Sequence, residues 1–301
     1  MKISFIYLIL LFFFTNCDSI NFKTSIQKNN KKNISLNQNN YTRIVSLAPS
    51  LTEIMFVLNA DTQLAGVTEF CVYPQKALSK PKIGGYTNIN FEQLVIIKPD
   101  LILALPIHQD YFKKFKQLNI PYKLFSEKKV SDIRNSIIEI GRLLKKNNET
   151  EIFLKTFDNE FNEKINQTIL QKSKILIIVG REFGRLKNPV CAGKISFYND
   201  LIEFAGGINA APESVTEYNS LNSESIVSMN PDIIIEIFAP HSGMTAYKDE
   251  DKLRNDWKIF KNVNAVKNGR IHYIIKDYAT VPGPRIYLLY RDIKKIINFK
   301  P

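Results

Sequence analysis

Aromatic and basic side chains gather in short segments that follow apolar runs of the chain. Aromatic rings pack well against a flat or bulky molecule, and arginine or lysine can pair with its carboxylates. The candidate ligand-binding residues are Pro49, Ser50, Phe70, Tyr73, Tyr86, Arg181, Arg185, Lys194, Phe197, Asp277 and Tyr278. These residue types predict a cleft that holds a bulky ligand and neutralises its acidic groups.

The histidines lack the spacing of a site for a bare metal ion. Such a site needs three or four converging ligands, whereas the chain has only His108, His241 and His272, far apart in sequence. We interpret His272, which lies in a strand pattern, as structural. Either His108 or His241 could instead supply a single axial ligand to the metal of a bulky bound complex, and Tyr73, Tyr86 or Tyr278 could do so if that metal is iron. We therefore predict no protein-bound metal and no cofactor, and keep a receptor for bare zinc or manganese ions as an alternative.

The N-terminus has the features of a lipoprotein signal peptide. Lys2 precedes an apolar run over residues 3–14, which is too short for a membrane span of roughly 20 residues. Cys17 follows in a lipobox-like context, where its thiol would take a diacylglycerol. Residues 1–17 are thus predicted to be the signal peptide, and the Asn- and Lys-rich residues 18–42 a disordered tether. We expect an exported protein with a lipid anchor in a membrane.

The other two cysteines, Cys71 and Cys191, lie on candidate cleft loops. Three cysteines in all are too few for a disulfide scaffold. Idle or buried thiols are favoured at these two positions, although export leaves a disulfide between them open.

Short apolar runs alternate with longer amphipathic stretches from residue 43 onward. The strand candidates are residues 44–48, 64–67, 101–104, 122–125, 175–179, 233–238 and 271–275. The helix candidates between them are residues 52–58, 91–97, 111–117, 130–145, 196–205 and 285–297. This alternation predicts α/β layers with mostly parallel sheets.

A longer helix is predicted near the middle of the folded part. Residues 148–171 place an apolar side chain at every fourth position from Phe153 to Ile169, and Asn148 can cap the start. A helix of this length resembles a strut between two halves. We therefore predict a Rossmann-like N-terminal lobe over residues 43–147, a connecting helix over 148–172 and a second Rossmann-like lobe over 173–301.

The chain also repeats itself. Residues 88–104 and 220–236 match at an offset of 132 positions, including the pairs Glu92/Glu224 and Asp100/Asp232. Each copy fits a short helix, a Pro-Asp turn and a buried strand, so the repeat indicates two similar lobes.

Six segments in this order resemble one known family. They are RIVSLAPSLTEIMFVLNA, GVTEFCVYP, NINFEQLVIIKPDLILA, AGKISFYNDLIEFAGGINA, SLNSESIVSMNPDIIIE and PGPRIYLLY. The chain resembles substrate-binding lipoproteins of ABC importers that bind vitamin B12, ferric siderophores and haem, the class III periplasmic binding proteins. The resemblance implies a monomer of two lobes on a rigid helix, which captures a metal chelate and delivers it to a membrane permease and its ATPase.

The resemblance also implies roles for individual residues. In this family one glutamate on each lobe docks into arginine pockets of the permease, and Glu92 and Glu224 fall on those positions. The B12-binding member is similar at Phe70, Tyr86, Asp277 and Tyr278, with tryptophan where this chain has the two tyrosines. The loop after Gly180 is longer and carries Arg181 and Arg185. These differences leave an anionic iron chelate open as the ligand.

Composition and missing motifs narrow the function further. Of the 301 residues, 45% are apolar and 23% charged, with a net charge of +12, which is typical of a globular protein with an anionic partner. Export argues against nucleic acid as that partner. The chain lacks a nucleophile elbow, a phosphate-binding glycine loop and a zinc-protease helix motif. We predict that it is not an enzyme, with an exported enzyme acting on a tetrapyrrole-like ligand as the alternative.

Overall fold

Apolar runs of the N-terminal half form a four-stranded sheet whose strands are all parallel. In the computed structural model, which describes residues 40–161, 172–182, 184, 186–240 and 249–299, this sheet has the order β2-β1-β3-β4. Its strands are β1 (Ile44–Ser46), β2 (Leu64–Val67), β3 (Leu101–Ala104) and β4 (Tyr122–Leu124). Its helices are α1 (Pro49–Val57), α2 (Phe91–Ile97), α3 (Phe112–Gln117) and α4 (Val130–Leu143). Together they form the N-terminal lobe, with a core of aliphatic side chains from β1, β3 and α2.

The C-terminal lobe contains a second sheet, with the order β10-β9-β5-β6-β8 and β7 beside β5. Its strands are β5 (Lys174–Gly180), β6 (Val190–Ala192), β7 (Ile208–Asn209), β8 (Tyr218–Ser220), β9 (Ile233–Phe238) and β10 (Ile271–Ile275). Its helices are α6 (Phe197–Phe204), α7 (Ser223–Met229), α8 (Glu250–Asp256), α9 (Asn264–Lys267) and α10 (Ile286–Asn298). β6 runs antiparallel to both of its neighbours, and the other pairings are parallel. The predicted fold class, two α/β lobes with mostly parallel sheets, is confirmed.

One helix, α5 (Asn147–Phe161), passes from the first lobe to the second. Near its start Thr150 packs against α4, where only a glycine fits: a Cβ on Gly141 would lie 1.9 Å from the Thr150 hydroxyl oxygen. At its end the Phe161 ring centroid lies 5.7 Å from that of Phe204 and 5.1 Å from that of Tyr290. The helix therefore contacts both lobes. The rest of the predicted connecting helix, residues 162–171, lies outside the described residues.

The internal repeat has the same local structure in both lobes. Asn90 and Asn222 cap α2 and α7, each accepting a backbone N–H three residues later. Both helices end on a residue with a left-handed backbone, Lys98 and Asn230. Asp100 then accepts the Arg43 N–H, and Asp232 accepts the Lys174 N–H. Each aspartate thus links the start of the following strand to its neighbour in the sheet, so the repeat is structural as well as sequential.

The N-terminal predictions fall outside the described residues. Residues 1–39, which include the predicted signal peptide, Cys17 and most of the tether, are not among them, and neither are Arg185 and His241. Within the part of the chain that the structure describes, no helix has the length and apolar character required to cross a membrane.

Candidate ligand-binding cleft

A cavity of about 910 Å³ lies between the two lobes. Its N-terminal wall comes from segments that directly follow strands β1 to β4, because the carboxyl ends of parallel strands share one edge of a sheet. Its C-terminal wall comes from the start of α6, from β8 and from residues 277–285 before α10. The predicted site residues that line it are Pro49, Ser50, Phe70, Tyr73, Tyr86, Phe197 and Asp277.

Aromatic rings cover much of the cavity wall. Phe70, Tyr73 and Tyr218 keep 59%, 42% and 44% of their surface exposed, although they are large apolar side chains in a folded lobe. Tyr86 packs edge-on against the His108 ring, and Phe197 stacks on Tyr198 with ring centroids 4.0 Å apart. Exposed rings beside supported ones provide the flat apolar surface that a bulky ligand needs.

Two of the three basic residues predicted for the cleft, Arg181 and Lys194, are paired within the C-terminal lobe. Arg181 is buried, and its guanidinium donates to Glu236 over 3.0 Å and to Asp256 over 2.6 Å. Lys194 pairs with Glu213. Neither side chain is part of the cavity lining. The charge of Arg181 balances two carboxylates inside the C-terminal lobe. Its position directly after a strand suggested a ligand contact, but the side chain forms internal ion pairs instead.

Tyr278 is also displaced from the predicted site. Its hydroxyl donates to Asp292 on α10 over 2.6 Å, and the residue is not part of the cavity lining. Because that hydroxyl is already paired with a carboxylate of its own lobe, the structure assigns Tyr278 a role in holding the 277–280 turn against α10 rather than in ligand contact.

His108 cannot serve as an axial ligand in this structure. Its Nδ1 accepts the Leu105 N–H over 3.0 Å, so Nε2 carries the proton and donates to the Tyr86 carbonyl over 3.0 Å. Both ring nitrogens are used, and burial lowers the pKa of the imidazole, which favours this neutral form. The histidine instead ties the Tyr86 loop to the residues after β3. His272 lies on β10, away from the cavity lining, as expected for a structural residue.

The cysteines, histidines and carboxylates that the structure describes form neither a metal site nor a disulfide. Among the described residues, no group of three or more histidine, cysteine or carboxylate side chains is arranged to hold a metal ion. Cys71 and Cys191 are both buried free thiols. The Cys71 thiol lies 3.1 Å from the Thr52 hydroxyl and 3.2 Å from that of Thr68, inside the N-terminal lobe. The disulfide that the sequence left open is therefore not formed.

An ion pair that sequence reasoning missed crosses the bottom of the cleft. Arg285, which precedes α10, donates to both carboxylate oxygens of Glu53 on α1 over 2.9 and 2.6 Å, and to Asp277 over 2.7 Å. The ring of Tyr73 covers the guanidinium, 3.6 Å from its centroid. Glu53 is only 2% exposed. We call Arg285, Glu53 and Asp277 the interlobe triad; it joins the lobes through buried, charge-assisted bonds.

Glu127 is a second missed residue on the cavity wall. It follows β4, and its carboxylate accepts a hydrogen bond of 2.7 Å from the Ser50 hydroxyl. Burial raises its pKa to about 7, and the nearby carboxylate of Glu217 on the other lobe adds to the rise. Glu217 itself pairs with Lys128 over 2.8 Å, which makes another contact across the cleft.

The described lining is acidic overall. Its carboxylates are Glu53, Glu69, Glu127, Glu217 and Asp277, and its cations are Lys128 and Arg285. The chain as a whole has a net charge of +12, so the cleft has the opposite sign to the average surface. Glu69 and Glu127 each follow a strand, and this position was the only sequence signal that could have predicted them as cleft residues.

The two glutamates of the repeat lie outside the cavity, on the same sheet edges. Glu92 and Glu224 are exposed in the first turns of α2 and α7. Each helix runs from the carboxyl edge of its sheet back to the start of the next strand, so each glutamate lies at the edge that also forms the cleft. Exposed apolar side chains, Val95 and Ile96 on α2 and Val227 on α7, accompany them.

The fold and the cleft define a two-lobed binding protein. The family model described as periplasmic binding protein matches residues 44–278, and the chain belongs to this family. It is 29% identical over 252 residues to the uncharacterized ABC transporter substrate-binding lipoprotein YvrC of Bacillus subtilis, covering 81% of this chain and 76% of that protein.

Two further proteins extend the comparison. The vitamin B12-binding protein of Vibrio parahaemolyticus is 23% identical over 81% of this chain and 84% of its own length. The crystal structure of the periplasmic heme-binding protein HutB of Vibrio cholerae superposes with a TM-score of 0.73 at 20% identity, covering 86% of this chain and all of that one. The same two-lobed fold is therefore present in solved structures of this kind.

Breaking the interlobe triad should destabilise the protein. Replacing Arg285 by glutamine leaves Glu53 buried without its counter-ion, so Arg285→Gln should lower the free energy of unfolding by about 3–5 kcal/mol. The double variant Glu53→Gln/Arg285→Gln should lose less than the sum of the two single variants. Denaturant unfolding measures all three, with the exposed Arg142→Gln as the control. Additive losses would contradict the coupling.

Glu127 should make stability depend on pH near neutrality. Its pKa is about 7 in the folded protein against an ordinary value of 4.5, so the folded state holds a proton that the unfolded chain releases in that window. The free energy of unfolding therefore falls as the pH rises from 4.5 to 7.

The variant Glu127→Gln has no titrating carboxyl at this position. Between pH 5 and pH 8, its free energy of unfolding should therefore rise relative to that of the wild type by on the order of 2–3 kcal/mol. Denaturant unfolding at both pH values gives the comparison. The exposed Glu151→Gln should behave like the wild type, and parallel pH profiles for Glu127→Gln and the wild type would refute the assignment.

Proposed function

We propose that this protein is the substrate-binding component of an ABC importer, and that it captures a metal chelate in the cleft for delivery to the membrane permease. The observation that carries the proposal is the cavity of about 910 Å³ with exposed aromatic walls between two lobes. Small-molecule sites of about 300–1,000 Å³ enclose ligands of drug size or larger. A bare zinc or manganese ion needs only a few converging atoms, so this cavity favours a chelate.

The relatives support the same reading. YvrC is named as an ABC transporter substrate-binding lipoprotein, and another relative is named for vitamin B12, a cobalt complex. The family is one of binding proteins, and binding without turnover is what the aromatic cleft suits. Ferric siderophores, haem and cobalamin are the ligand classes that we propose for the site.

Ligand capture in this proposal needs little movement of the lobes. The triad around Arg285 and the Lys128–Glu217 pair already span the cleft, and α5 contacts both lobes. The ligand would enter against the exposed rings of Phe70, Tyr73 and Tyr218 and displace water from them. A small tilt of one lobe then suffices to bury it.

Docking to the permease is proposed to use Glu92 and Glu224. Both carboxylates are exposed, one on each lobe, at the edges that form the cleft. The exposed apolar residues beside them provide area for an interface, and the carboxylates provide orientation toward cationic pockets. The proposal includes a lipid anchor at Cys17, which would hold a monomeric receptor at the outer face of the membrane beside its permease and ATPase.

The apo protein should bind at least one metal chelate with saturation. Titration with cyanocobalamin, haemin and ferrioxamine B, followed by calorimetry and absorbance, tests this. The variants Phe70→Ala and Tyr218→Ala should each weaken binding by about tenfold, because each removes a large apolar contact. Phe299→Ala, an exposed aromatic outside the lining, is the control. Binding of zinc or manganese alone would favour the bare-ion receptor, and a product released from the ligand would favour the enzyme.

Charge reversal at both docking residues should stop uptake without affecting capture. In cells that depend on this receptor, Glu92→Lys with Glu224→Lys should lower ligand uptake by at least about tenfold, since each lysine would meet cationic pockets. Ligand affinity of the purified variant should equal that of the wild type. The matched control is charge reversal of the exposed Glu151. Uptake at the wild-type rate by the double variant would remove these glutamates from the interface.

A further inference from the structure

The charged groups that face the cavity determine which ligands it can accept. Five carboxylates and two cations line it among the described residues. The two cations offset two of the five negative charges, and the Glu127 carboxyl, whose pKa is about 7, is fully charged only above neutral pH. A cavity of this sign repels an anion before any specific contact is made.

Both cations of the lining are already bound by carboxylates. Arg285 donates hydrogen bonds of 2.6–2.9 Å to Glu53 and Asp277, and the ring of Tyr73 covers one face of its guanidinium. Lys128 pairs with Glu217 over 2.8 Å. A ligand carboxylate could recruit either cation only by displacing a carboxylate of the protein from it. Among the residues that the structure describes, neither cation of the lining is therefore free to pair with an anionic group.

The remaining two carboxylates have no cation in the described lining. Glu127 receives one hydrogen bond, from the Ser50 hydroxyl, and lies near Glu217, which raises its pKa further above the ordinary value. Glu69 lies exposed at the rim, beside Phe70. Carboxylate oxygens in such positions are acceptors that an N–H or O–H group of a ligand can satisfy.

We infer that the cleft selects a metal complex that is uncharged or cationic and presents amide, ammonium or hydroxyl donors, and that it discriminates against complexes with free carboxylates. Among the proposed ligand classes, this ranks haem, with its two propionates, below cobalamin and neutral or cationic siderophore complexes. This inference rests on the proposed function and names the substrate class of the same site. It reverses the sequence-based expectation of an acidic ligand. Of the three basic residues behind that expectation, Arg181 and Lys194 pair with carboxylates elsewhere, and Arg185 lies outside the described residues.

Two series of probes vary the charge while keeping the metal centre. One compares dicyanocobinamide, whose corrin side chains are amides, with dicyanocobyrinic acid, in which carboxylates replace them. The other compares ferrioxamine B, which has a free ammonium group, with its N-acetyl and N-succinyl derivatives, which are neutral and anionic at that end. Calorimetry on the purified full-length protein gives the dissociation constants.

In whichever series binds, we expect the carboxylate-bearing probe to bind at least about tenfold more weakly than its amide or ammonium counterpart, since like charges repel strongly in a partly desolvated site. The paired variant Glu69→Gln/Glu127→Gln should reduce that ratio by about threefold or more. The control Glu151→Gln makes the same change of charge per site on an exposed face of α5, and it should preserve the ratio.

The outcomes separate this inference from the proposed function. Equal or tighter binding of the carboxylate-bearing probes overturns the inference while the receptor function stands. A ratio that survives in Glu69→Gln/Glu127→Gln also overturns it, because selection would then not come from these carboxylates. Absence of binding by every probe, haemin included, overturns the proposed function itself.

Discussion

The bidentate pair between Arg285 and Glu53 is the constraint on which the cleft depends. It joins the segment before α10 to α1, and both side chains are largely buried at the cavity wall. A buried ion pair contributes little net stability relative to apolar packing, but removal of one partner is costly. Its effect is therefore geometric. It fixes how far apart the two lobes lie at the base of the cleft, and it binds the arginine that would otherwise be the strongest anion site in the lining.

The two lobes reach their similar form through the same local device. An asparagine caps a short helix, a left-handed residue ends it, and an aspartate after a proline accepts the backbone N–H at the start of the adjacent strand. Polar groups at the ends of short elements are thereby satisfied within each lobe. The helices that result project one exposed glutamate per lobe toward the edge that carries the cleft, so the proposed docking residues and the ligand site have a common origin in the repeat.

Most of the framework was predictable because it follows from buried apolar runs. The strand candidates from residue 44 to residue 275 all correspond to strands that have at least one parallel neighbour. The antiparallel β6 and β8 were missed, since three-residue strands such as Tyr218–Ser220 have no clear alternation. Site residues such as Phe70 and Tyr86 were predicted correctly because they lie on loops that follow parallel strands. Arg181 was misplaced and Arg285 was missed because the carboxylates Glu236 and Glu53 that bind them come from distant parts of the chain.

The aromatic contacts at the end of α5 bear on how a permease could tell a loaded receptor from an empty one. Thr150 seats one end of the helix against the first lobe, and Phe161 seats the other between Phe204 and Tyr290. Under the proposed function, these two contacts would leave the separation of the two lobes nearly unchanged on ligand capture. The distance between two carboxylates on opposite lobes is then a poor signal of occupancy. A transporter that engages them would have to sense the cargo directly, through the mouth of the cleft.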